Sequence, residues 1–336
     1  MAGVALWPAY YFDRTAAYPS ISHARLMIEG FMASFIIGFL GTAGPRITST
    51  SPLSPKEVVV LLTLDLLAAG LRFGESHRAG DALFVGCLAF FLFVIGKRFF
   101  RRKDSPLPNF ALVALGLLNG LAGAILVALF EDKIYSAAYR IGVAFLEQGF
   151  VLFPIVGVAP FFLRRLLGVP PPKNLPESPR LPPGWIPRAG FAIGIGLIIV
   201  ATLPWHGRGF LADCLRFGIA AIVIGIGVET IWPQYRVGAL HIWFISGFSF
   251  VALTVAIRVV FGHSGRMDLT QKPLPFFIVT GALIFLAMLS RYIADLAPKA
   301  RTIHLVAAAA CWLLAALIWA VRVIPKVVIV EPEESG

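Results

Sequence analysis

Six histidines are the residues of this chain best suited to chemistry: His23, His77, His206, His241, His263 and His304. Neutral imidazole is the usual protein ligand of haem iron and copper. It serves equally well as a hydrogen-bonding group at a helix end. Asp65, Glu147 and Asp213 fall inside long apolar blocks, where an ionisable group is costly and is either paired or used in a proton path. Asp213 and Arg216 are three apart and can pair on a helix, while Arg140 and Glu147 share a helical face. Glu147 has no obvious local partner and stands beside Gln148. Cys87, Cys214 and Cys311 form no CxxC or CxxCH pattern, so neither disulfides nor thioether-bound haem is expected. No P-loop, HExxH or GxSxG motif occurs, and Gly225-Ile-Gly227 lies within an apolar helix.

The elements that must position these groups follow from composition. Of 336 residues, 58% are hydrophobic and 14% charged, against about 45–50% and about 25% in soluble domains. Mean hydropathy is +0.83. So few charges cannot cover a soluble fold, which excludes a two-domain cytosolic enzyme, a disordered chain and a disulfide scaffold. The expected fold is all-α, a polytopic transmembrane helix bundle of about 10 spans, since a bilayer core needs about 20 helical residues per crossing. The apolar blocks are 24–44, 56–73, 80–99, 108–130, 136–163, 188–204, 210–231, 238–261, 273–293 and 302–325. The expected organisation is a polar segment 1–22, a five-span half 23–166, a Pro-rich basic linker 167–187, a second half 188–325 and an acidic tail 326–336.

The net charge of +11 reads as topology and not as nucleic-acid binding. Basic residues collect in breaks between blocks, at Lys97, Arg98, Arg101, Arg102 and Lys103, and at Arg164, Arg165, Lys173, Arg180 and Arg188. By the positive-inside rule both breaks are cytoplasmic. Ten crossings then place both termini outside, with His23, His77, His206 and His263 at the outer face and His241 and His304 at the inner one. Small residues spaced by four, Gly30, Ser34, Gly38 and Thr42, then Gly116 with Gly120 and Gly190 with Gly194, suggest close helix pairing.

Two motifs carry a resemblance. The first is Ser-His-Ala-Arg-Leu-Met-Ile-Glu-Gly-Phe at 22–31, running into Gly-Phe-Leu-Gly-Thr-Ala-Gly-Pro at 38–45. The second is Ala-Leu-His at 239–241, followed by Arg-Val-Val-Phe-Gly-His-Ser-Gly-Arg at 258–266. Together they resemble the NnrS family of haem- and copper-containing membrane proteins of the bacterial nitric oxide response. The resemblance extends unevenly over most of 20–325 and is most specific from Arg258 to Arg266. It implies about twelve spans, so this chain is expected to be a shortened, divergent member without the family's first apolar segment. It implies non-covalent haem, with copper as a further metal, and nitric oxide or a related small molecule as ligand. It also implies a multi-pass place in the inner membrane of a bacterium. His23, His241 and His263 match motif histidines and are the candidate metal ligands; Met27 and Gly30 match the family's methionine and glycine. Arg258 and Arg266 flank His263 and suit haem propionates. Arg25 stands where the family has its second histidine, and Leu26 where it has glutamate. A guanidinium offers no lone pair to a metal.

Two other function classes stay open on the residues alone. A proton-coupled transporter would use Glu147, Asp65 and Asp213, although no repeat relates the two halves. A membrane acyltransferase would need His23 as base.

Overall fold

A computed structural model describes residues 2–14, 18–74, 76–166, 180–181, 184–185, 189, 209–264 and 272–328. Among them every regular element is helical. A short α1 (Ala2–Tyr11) precedes the long α2 (Ser20–Ile47), α3 (Pro55–Phe73), α4 (His77–Phe100), α5 (Phe110–Leu129) and α6 (Ala137–Ala159). After the linker come α7 (Phe210–Ile231), α8 (Pro233–Gly262), α9 (Pro275–Leu296) and α10 (Pro298–Val327). Eight of these are long and apolar enough to cross a membrane, as eight of the ten apolar blocks predict. The block 56–73 forms α3, which carries Lys56, Glu57, Asp65 and Arg72 within 19 residues. The block 188–204 lies, apart from Ala189, outside the described residues.

Local chemistry fixes where the helices start. Ser54 Oγ accepts from the Glu57 N–H and the Glu57 carboxylate accepts from the Ser54 N–H at 2.7 Å, a capping box that opens α3. Arg98, near the end of α4, ties that turn down through Glu57 and the Ser51 and Pro52 carbonyls. Between α5 and α6 the missing side chains of Gly116 and Gly120 admit Pro154 and Phe150 directly, as their spacing predicts. The stripe of Gly30, Ser34, Gly38 and Thr42 does not behave so. A Cβ on Gly30 or Gly38 would meet nothing, and Ser34 and Thr42 are exposed. The packing face of α2 is the opposite one, with Ala33, Ile36, Ile37 and Leu40 in the core.

Contacts fix the direction of each helix. At one end, Arg72 pairs with Glu29 and Asp81, and the His23 ring lies parallel to that of His241. At the other, Gly157 abuts Asn109 and Phe210 meets Phe277. These are the histidine end and the basic end. Helix α6 runs toward the basic end and α7 departs from it. That placement of α6 and α7 corrects the ten-span orientation from α7 onward. His241 and His304 lie at the His23 end and not opposite it, whereas the α8 backbone at His263 reaches the basic end.

The corrected orientation predicts a labelling pattern. Single cysteines replacing Lys103 and Lys272 should react with an impermeant maleimide from one side of the membrane, and those replacing Lys133 and Lys299 from the other. Reaction of Lys103→Cys and Lys272→Cys from opposite sides would restore the ten-span arrangement.

Candidate functional site

The site is built at the histidine end from α1, α2, α8, α9 and α10. His23 sits in the first turns of α2, and its Nδ1–H donates to the Gly3 carbonyl of α1 at 2.9 Å. His241 donates from Nδ1 to the Val237 carbonyl, one turn earlier in α8, at 2.6 Å. A carbonyl only accepts, so in each neutral ring the proton is on Nδ1 and the lone pair on Nε2. Metal-binding imidazoles are oriented in this way, by a backbone acceptor on the other nitrogen. The two ring centroids are 6.2 Å apart and the planes 12° from parallel. Trp7 packs against His23 at 5.5 Å.

Both rings line a cavity of about 410 Å³ that also takes in Met27, Glu147, Arg236, Arg291 and Arg301. That size falls within the usual range of about 300–1,000 Å³ for ligand sites. Three π-helical turns border it. Leu26–Met32 supplies Met27, Phe145–Phe150 supplies Glu147, and Ile242–Ser249 follows His241. Such turns insert a residue into an α-helix and are frequent at functional sites, where they re-aim side chains. Apolar periodicity does not reveal them, because all three turns are apolar on most faces.

The donor set fits some metals and not others. Among the described residues no three of His, Cys, Asp and Glu cluster as metal ligands, so a four-ligand zinc site is not formed. Haem iron needs only one or two axial ligands, and the soft thioether of Met27 beside two imidazoles suits copper.

Arg258 is 17 residues beyond His241 on α8, about 25 Å along the helix, and does not line this cavity. The His263 side chain and Arg266 lie outside the described residues, as does His206. His77 meets Ser22 at 3.5 Å, and His304 Nδ1 lies 3.1 Å from Ser290 Oγ.

Glu147 is not the lone carboxylate its sequence context suggests. Arg236 of α8 donates to it at 3.0 Å and also to Glu229 at 3.0 Å. Asp213 and Arg216 pair as expected, with the Asp213 side chain 66% exposed on the bundle surface. Asp65 accepts from Ser34 Oγ at 2.6 Å.

Below the cavity, Arg25 has a structural task. It donates to Glu29 at 2.7 Å and approaches Asp81 at 3.3 Å, while Arg72 pairs with the same two carboxylates. All four side chains are buried. The quartet joins α2, α3 and α4 and holds the first π-helical turn in place through Glu29. Pairwise spacing in the sequence reveals only its Arg25–Glu29 contact.

Comparison with known proteins gives one match. A family model described as NnrS protein covers residues 1–329. No curated protein and no solved structure matches significantly.

Proposed function

Since the chain belongs to the NnrS family, we propose that it holds haem, with copper as a further metal, through His23 and His241 in the nitric oxide response. The single observation that carries this reading is the pair of imidazoles, far apart in sequence, that share one cavity with both Nε2 lone pairs left as donors. Bound haem iron or copper would supply a position at which nitric oxide binds.

The chain's own residues do the rest. The Gly3 and Val237 carbonyls fix each imidazole in the ligating tautomer. Trp7 holds the His23 ring in place from one side. Val4, Leu240, Leu305 and Trp312 line the pocket and limit water. Arg258, toward the basic end of α8, belongs in this reading with His263 and Arg266 to a second, separate binding segment. By the positive-inside rule that end faces the cytoplasm of a bacterial inner membrane.

Protein purified in detergent from haem-supplied cells should show a Soret band that shifts on addition of nitric oxide, with iron or copper in the metal analysis. Absence of both a Soret band and copper would overturn the assignment.

A further inference from the structure

We propose that the ligand of the histidine cavity carries its own carboxylates and that Arg291, assisted by Arg301, binds one of them. The inference rests on the haem reading above and narrows it, because a bare metal ion brings no such group.

The argument comes from the charges that face the cavity. Arg291, near the end of α9, has a side chain only 7% exposed and donates from Nη1 to Asp295 at 3.1 Å. Its Nε–H finds no acceptor. Asp295 is heavily used. The same Oδ1 atom also faces Arg301 at 3.8 Å, and Oδ2 accepts the Gly238 N–H at 2.6 Å. One carboxylate thus serves two guanidiniums and a backbone amide. The opposite wall has the reverse arrangement, with Arg236 held between Glu147 and Glu229. The surplus positive charge is therefore local to Arg291 and Arg301.

The imidazoles cannot compensate it. They are neutral as ligands, and a metal cation held by them would add to the repulsion. A buried guanidinium with spare donors is costly, and its best partner is a planar carboxylate bound through two N–H groups. Haem supplies two propionates on the same macrocycle whose iron the histidines would hold. Arg301 also lines the cavity and its side chain is 48% exposed, so it can meet a second carboxylate.

The test compares iron protoporphyrin IX with its dimethyl ester, which keeps ring and iron and removes both charges. On the full-length protein in detergent, the ester should be lost to a haem-scavenging protein about tenfold or more faster than the acid. Arg291→Gln should bring the acid most of the way to the ester's rate and leave the ester unchanged. Arg301→Gln, at an exposed position, should act in the same direction and less strongly. Equal retention of acid and ester by the wild type would overturn the inference and leave the haem reading standing. A variant that weakens both forms alike would overturn it too, because that is a structural effect. A wild type that binds neither form overturns both.

Discussion

Arg72→Met is expected to leave little folded protein. The Arg72 guanidinium is fully buried, pairs with Glu29, donates to Asp81 at 3.2 Å and lies 5.3 Å above the Phe84 ring. Methionine fills similar space but leaves two carboxylates sharing the single charge of Arg25. Breaking a buried ion pair from one side costs about 3–5 kcal/mol. Whole-protein stability is about 5–15 kcal/mol, so the loss is a large share of it. Thermal unfolding in detergent and the monodisperse fraction on size exclusion measure the effect. A variant within about 1 kcal/mol of wild type would contradict the quartet as described. Replacing all four residues together (Arg25→Leu, Glu29→Leu, Arg72→Met, Asp81→Leu) should recover most of the loss, because a satisfied buried network contributes little net stability.

The quartet also explains the departure at the first motif. Where the family resemblance expects a second histidine, this chain has Arg25 bound to Glu29 and Asp81. Arginine offers no lone pair to a metal and instead places a cation in a buried network. The imidazole that lies beside His23 comes from α8, as His241.

The fold class was legible because composition and block length are read directly against the thickness of a bilayer. Orientation was less so. It depended on the parity of all the blocks before an element, and one change of parity reverses every element after it. That reversal set His241 opposite His23, although the two rings lie side by side. Helix packing was legible where glycines meet bulky partners, at Gly116 and Gly120, and misleading at Gly30 and Gly38, because spacing marks a face without saying what it meets. The partnership of Glu147 with Arg236 and the gathering of Arg291 and Arg301 around Asp295 depend on contacts across helices. No local pattern encodes them.

The second large effect concerns the histidine pair. Loss of a supporting group beyond a metal's own ligands already weakens binding about 10–100-fold, so loss of a ligand should exceed that. His23→Ala and His241→Ala should each weaken haem binding beyond that range. Neither change should unfold the protein, since both rings are half-buried at a cavity wall and each gives up one hydrogen bond to a backbone carbonyl. The most direct measurement is haem per protein, from the Soret band and iron content, in wild type and His23→Ala/His241→Ala purified side by side from haem-supplied cells. The pair as ligand predicts haem in the wild type and none in the folded double variant. Equal haem in both would contradict it.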